Sequence, residues 1–304
     1  MVQGTNNLKQ VNRTVAEVFG LALVARDNKW PLVFNEKVPT RKDEKTTIIK
    51  LDNNVTQATD GGAFTDNNIL EIGDYTITQL IYKDKIALGD FAEAFDNFGK
   101  IKAAASEKGQ DYSYQMDALG VAFFNNPTST TAPYGFICDG SSTKVPLLGN
   151  SQPIGNTGST QDNYLAGGLS KPNLQEMITT LTQQKRHNGN IAGYQAARLV
   201  VPVQEWMNAW QLTQSPMEPE GAENNRNWLN TLGVQVIVWD LHTSTSTCFL
   251  MASNAVTPHF IYYIKQRPQM KIIRDQDNDS VTYQFKCMMQ AGVADYEGCV
   301  GVTA

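Results

Sequence analysis

The stretch that decides the fold is DFAEAFDNFGKIKAAASEKGQDYSYQMDALGVAFFN, Asp90 to Asn125. At one residue per 100°, Phe91, Phe95, Phe98, Ile101, Ala105, Tyr112, Met116, Leu119 and Phe123 fall within one arc of about 120°. Asp90 and Glu93 form a capping-box pair, and Pro127 stops the run. The pattern predicts one long amphipathic helix, on the order of 50 Å if unbroken, about three times the usual length. Such a helix needs a partner surface along its whole length. Gly109 lies in the apolar stripe, so a kink or a close backbone approach is expected there. Near the end the opposite side, Ala118, Val121 and Ala122, is apolar too. The helix should be exposed at its start and sandwiched at its end.

Outward from this helix, residues 1–35 form a polar arm with one short helical pattern, Leu8, Val11, Val15, Val18 and Phe19. It is too small for its own core and must lie on something else. Residues 36–83 hold two β-rich runs, Thr46 to Leu51 and Tyr75 to Tyr82, around a linker from Asp52 to Gly73 with the turn signal Asp60-Gly61-Gly62. A linker of that size inside a compact domain is uncommon and usually functional or disordered. The second run shows Tyr75, Ile77, Gln79 and Ile81 on one face and Thr76, Thr78, Leu80 and Tyr82 on the other, neither cleanly polar. A two-stranded ribbon alone is marginal in water. It is either an edge hairpin of its own domain or an arm across a neighbouring subunit.

Thr128 to Asn163 is loop-like and suggests a boundary between two lobes. Beyond it come a helix from Pro172 to Gln184 with Leu174, Met177, Ile178 and Leu181 on one face, a short strand Arg198 to Val203, and a helix Gln204 to Leu212 bearing Trp206, Met207 and Trp210. Apolar strands follow at Val234 to Trp239 and Phe249 to Ala252. These predict a mixed sheet covered by helices. Met270 to Arg274 and Val281 to Lys286 read as a hairpin about the polar turn Asp275 to Ser280, and Val293 to Val302 as a last short strand or turn.

Composition narrows the function. Only 18% of residues are charged, and the net charge is −5, so the totals give no sign of a basic face for wrapping nucleic acid. Cys138, Cys248, Cys287 and Cys299 are far apart and read as reduced structural thiols. No secretory signal and no stretch long enough to span a membrane is expected. His187, His242 and His259 lack ligand spacing and triad context, and each reads as a surface or satisfied histidine. Asp275 to Asp279 begins like a calcium loop, but Ser280 and Lys286 stand where glycine and a bidentate carboxylate are needed. No phosphate loop or Gly-x-Ser-x-Gly motif is present. The sequence therefore predicts no catalytic, cofactor-binding or metal-binding residues, and a structural role.

The order of these parts resembles the major capsid proteins of tailed bacteriophages, with the α+β Hong Kong 97 fold. The arm, the extended loop at 36–83 and the helix at 90–125, which is similar to the family's spine helix, come in the family's order. Pro133-Tyr134-Gly135-Phe136-Ile137 is similar to the turn that often follows that helix. Leu199-Val200-Val201-Pro202-Val203-Gln204-Glu205-Trp206 resembles the strand, proline and helix of the axial domain. Gly233 to Val238 is similar to a further family strand, with Gln235 in place of the usual proline. Ala291 to Gly298 resembles the closing strand.

The resemblance implies an N-terminal arm (1–35), an extended loop (36–83), a peripheral domain with the spine helix (84–154), an axial domain (155–260) and peripheral strands (261–304). It implies pentamers and hexamers forming an icosahedral shell around double-stranded DNA, assembled in the host cytoplasm with a scaffolding protein and a portal, without membrane contact. Ile49, Leu51, Ile77 and Ile81 of the loop are the candidate inter-subunit contacts. Two alternatives stay open: an encapsulin-like nanocompartment shell, and an α+β enzyme with an uncommon site around Trp206, Trp239 and His242.

Overall fold

The structure is a computed structural model, described here for residues 3–51, 69–89, 98–138, 143–155, 158–217, 226–253, 255, 259–275 and 280–303. In chain order the elements are α1 (Gln3–Ala25), α2 (Trp30–Val33), β1 (Asn35–Lys37), β2 (Asp43–Leu51), β3 (Ile69–Thr78), β4 (Leu80–Gly89) and α3 (Phe98–Asn125). Next come β5 (Gln152–Pro153), β6 (Thr160–Gln161), β7 (Tyr164–Ala166), α4 (Lys171–Gln183), β8 (Ala196–Pro202) and α5 (Trp206–Gln214). The chain closes with β9 (Gln235–Trp239), β10 (Cys248–Ala252), β11 (Phe260–Asp275), β12 (Ser280–Val293) and β13 (Cys299–Thr303).

The helix α3 has 28 residues, about 42 Å at 1.5 Å per residue. Its expected cap, Asp90 and Glu93, and Phe91 and Phe95 lie outside the described residues. The predicted stripe is buried at Ile101, Ala105, Tyr112, Met116 and Phe123. Residues 99, 100, 103, 107 and 110 are exposed, whereas none from 115 to 125 is. The change comes from a second layer arriving on the far side at the C-terminal end.

The N-terminal helix covers the stripe further back along α3. α1 lies along α3 and buries Val15, Phe19 and Ala22 within its own chain. Gly109 permits the crossing: a Cβ there would stand 2.6 Å from the Phe19 carbonyl oxygen and 2.7 Å from the Ala22 Cβ. The expected close approach is thus present, and its partner is the arm. Gly120 does the same further on, with Trp30 Cβ and the Trp239 ring 3.1 and 3.2 Å from where its Cβ would be.

Beneath α3 runs a four-stranded sheet in the order β1-β11-β12-β4. Its spine is the long antiparallel β11–β12 hairpin, which extends well beyond the short runs expected from sequence; the turn residues 276–279 lie outside the described residues. Its core is aromatic: Phe34, Phe124, Phe260 and Tyr262 meet with ring centroids 5.7 to 6.4 Å apart around Phe34. Edge-on ring packing of this kind stabilises beyond the buried area alone.

A second, five-stranded sheet has the order β7-β13-β10-β8-β9. It is mixed, with β8–β9 and β13–β7 parallel and β10 antiparallel to both neighbours. α4 starts at the Ser170 N-cap and buries Leu174, Met177 and Leu181 on this sheet. α5 adds Ala209 and Leu212. β13 belongs to this sheet and not with the β11–β12 hairpin, where the expected peripheral strands 261–304 would place it. The expected closing strand breaks at Val293, and the turn through Asp295 and Gly298 (φ +79°) carries the chain from one sheet to the other.

The ribbon also differs from expectation. β3 starts at Ile69, earlier than Tyr75, because Ile69-Leu70-Glu71-Ile72 is itself β-forming. It pairs with β2 through a bulge opposite Ile48 and Ile49, where Ile72 is the extra residue. Tyr75 to Tyr82 is not one strand. At Gln79 the chain leaves β2 and joins β12 as β4. Tyr75, Ile77 and Gln79 point inward before this change, and Tyr82, Ile86 and Leu88 face the core after it. A one-residue slip exchanges the two faces, so the single alternation read from sequence could not hold across it.

Candidate functional site

α5 carries an unusual surface. Its sheet-facing side chains, Ala209, Leu212 and Thr213, are buried. On the opposite face Trp206, Met207 and Trp210 are 52%, 62% and 50% exposed. They lie at i, i+1 and i+4, one stripe of a short helix. The helix is held rigidly: Asn208 Nδ2 donates to the Leu169 carbonyl at 2.7 Å, and Gln214 Nε2 to the Val234 carbonyl at 3.1 Å. A short 3-10 helix, Trp228–Leu232, packs beside it and adds Trp228 and Leu232 to the exposed apolar area. Tryptophan and methionine gathered on a rigid, outward face are what a protein interface uses.

The four loop residues predicted as contacts separate. Ile81 is 49% exposed on β4. Ile49 and Leu51 lie in β2 by backbone register, and their side chains are outside the described set. Ile77 is a correction: it is 2% exposed and packs on its own chain. Gly292 of β12 makes room for it, since a Cβ at 292 would collide with the Ile77 Cδ1. Tyr75, also buried, donates its hydroxyl to the Pro133 carbonyl at 2.8 Å. The base of the ribbon is therefore anchored at home, and Leu80 and Ile81, at the start of β4 just past it, are exposed.

One buried carboxylate ties the arm, α3 and the second sheet together. Asp117 accepts from the backbone N–H groups of Lys29 (2.8 Å) and Trp30 (3.0 Å) through Oδ1, and from Trp239 Nε1 (2.9 Å) through Oδ2. Arg26 lies 3.8 Å away and also pairs with Asp240. Burial pushes the Asp117 carboxyl above its usual range, against the pull of these donors. In sequence it was one polar residue in an apolar run and carried no signal.

The tryptophan–histidine site considered for an enzyme does not assemble. Trp206 is on the α5 surface, whereas Trp239 is fully buried and spent on Asp117. His242 is buried beside Phe249, ring centroids 5.8 Å apart, and its Nδ1 accepts from the Ser244 N–H at 3.2 Å. Burial depresses it to about 4.

His187 has no partner at ligand spacing in the sequence. In the fold it is 5% exposed, with Nε2 2.9 Å from Asp295 Oδ2 and 3.0 Å from Glu297 Oε1. Burial pulls its pKa down, but the two carboxylates outweigh burial and raise it to about 9. The one sequence signal for this group is Asp295-Tyr296-Glu297, two acids one residue apart in an apolar end of the chain.

A shell-subunit fold is what these two sheets, the long helix and the ribbon define, and known structures share it. The chain superposes on the capsid of an empty GTA particle with TM-score 0.56 at 12% identity, over 92% of this chain and 91% of that one. It matches the procapsid subunit of bacteriophage JBD30 with TM-score 0.53 at 10% identity, over 98% and 75%. A virus-like particle from Pyrococcus furiosus gives 0.52 at 11% identity, over 95% and 98%. No curated protein sequence matches. The profile of a phage capsid protein family matches residues 73–302, and the chain belongs to that family. It is a structural major capsid protein with the α+β Hong Kong 97 fold, and its copies form the icosahedral shell of the virion.

Proposed function

We propose that this subunit assembles as pentamers and hexamers, with the α5 face meeting neighbours around the axes. The observation that carries this reading is the exposed Trp206, Met207 and Trp210 stripe on a helix whose other side is fully packed. Burying two tryptophans and a methionine would stabilise each contact by several kcal/mol before association costs, at roughly 1.5–3 kcal/mol per large side chain. Head-to-tail repetition of one contact closes into a ring. The ribbon laps over an adjacent subunit through the β2 residues Ile49 and Leu51, with Ile81 of β4 exposed beside its base. Residues 84–154 and the β11–β12 hairpin act as the peripheral part, and residues 155–260, joined by β13, as the axial part.

The shell encloses double-stranded DNA without sequence-specific contacts; the net charge of −5 suits a container that should not hold its contents by the phosphates. Assembly in the host cytoplasm uses a scaffolding protein and a portal, and the subunit has no catalytic role. The test is the double variant Trp206→Ser/Trp210→Ser. It should keep the far-ultraviolet dichroism of the parent and lose closed particles in sedimentation and negative-stain microscopy, with scaffold supplied. Closed, nuclease-resistant DNA-filled shells from that variant would refute the assignment of the α5 face.

A further inference from the structure

His187, Asp295 and Glu297 come from two places in the chain, the loop after α4 and the turn between β12 and β13. Their Nε2, Oδ2 and Oε1 atoms converge, all within 4.8 Å of one another, at a buried point. The other oxygen of each acid is held away from it. Asp295 Oδ1 accepts from the Tyr296 and Glu297 backbone N–H groups at 2.8 and 3.4 Å. Glu297 Oε2 accepts from the Tyr194 hydroxyl at 2.9 Å. These outer hydrogen bonds turn one oxygen of each carboxylate toward the same imidazole nitrogen, as the surroundings of metal ligands do. The backbone is built for the approach: Gly155, at φ +51°, lies against the His187 carbonyl where a Cβ would collide.

A second observation points to an occupant. Nε2 of Gln184 is buried without a hydrogen-bond partner. Gln184 sits beside the cluster, its Oε1 accepting from the Gly298 N–H at 2.7 Å. A buried donor left over beside converging ligands calls for an acceptor such as the water bound to an ion.

We propose that His187, Asp295 and Glu297 hold a divalent metal of the zinc class. One imidazole nitrogen and two carboxylate oxygens is a borderline donor set, suited to zinc, and not the all-oxygen set of calcium or magnesium. Bonds of about 2.0–2.1 Å give a tetrahedral edge of roughly 3.3–3.4 Å. The donor atoms at 2.9 and 3.0 Å need to open by only about 0.4 Å to reach that edge, and water takes the fourth position. The metal clips the turn that joins the two sheets to the loop that follows α4. The site is closed to solvent, so the ion enters as the chain folds. The inference does not depend on how subunits meet.

The test uses the full chain produced with zinc sulfate in the medium and purified without chelator. Elemental analysis should find about one zinc per subunit, and Glu297→Gln and His187→Gln should lose it. Glu297→Gln keeps the shape and the Tyr194 contact, so its fold is checked by dichroism. Production with cobalt in place of zinc should give the visible absorption of a tetrahedral nitrogen–oxygen site in the parent, a readout that needs no variant. A parent chain free of metal and without the cobalt bands overturns the proposal: the three groups are then closed by a proton alone. Equal metal in the parent and both variants overturns it too, since the ion is then held elsewhere.

Discussion

The same substitution, glycine to alanine, should have opposite signs on the two helices that cross at Gly109. Gly20 lies inside α1 on its exposed side, with nothing within 4 Å of an added Cβ. Gly20→Ala should therefore stabilise by about 0.5–1 kcal/mol from helix propensity alone. Gly109→Ala carries a similar intrinsic gain, but its Cβ would stand 2.6 Å from the Phe19 oxygen and 2.7 Å from the Ala22 Cβ. Ordinary carbon contacts are about 3.5–4.0 Å. The nearer atom belongs to the α1 backbone, so no side-chain rotation relieves it, and the helices must part by about 1 Å. Overpacking of this kind costs typically about 1–3 kcal/mol. The net effect at Gly109 should be a loss of up to about 2 kcal/mol, and the difference between the two variants, about 1–3 kcal/mol, isolates the packing term. Urea denaturation of the unassembled protein followed by dichroism measures both, and limited proteolysis near Ala25 reports whether α1 loosens. If Gly109→Ala gains as much stability as Gly20→Ala, α1 does not lie on α3 as described.

Further outcomes follow from the buried polar groups. His242 is held at about 4 in the fold against 6.5 in the open chain, so on acidification the unfolded chain takes up the proton first. The stability it contributes is present above pH 6.5 and lost as the pH falls toward 4, on the order of 3 kcal/mol; denaturation midpoints at pH 7 and 4.5 should differ less in His242→Gln. Asp117→Asn keeps one acceptor oxygen but turns an NH2 group against either the Lys29 and Trp30 N–H pair or Trp239 Nε1 and should cost about 1–3 kcal/mol in a urea titration. An Asp117→Asn protein as stable as the parent would show that the arm is not tied at this residue.

Local periodicity determined much of this protein. The stripe from Ile101 to Phe123 and the α4 face of Leu174, Met177 and Leu181 are patterns of neighbours three or four residues apart, the runs at 199–202 and 248–252 are continuously apolar, and burial follows both directly. The order of these elements along the chain carried the capsid resemblance. Only the tertiary structure decided which surfaces are used up and which are left. The alternation from Tyr75 to Tyr82 does not say that the chain changes partner at Gln79, because the partner strands come from far away in sequence. Ile77 and Ile81 look equivalent on one face, yet a one-residue slip buries the first and exposes the second. Asp117 with Trp239, and His187 with Asp295, are bonded across 122 and 108 residues. A side-chain network of that reach leaves no periodic trace in sequence, since its geometry exists only once both sheets are packed.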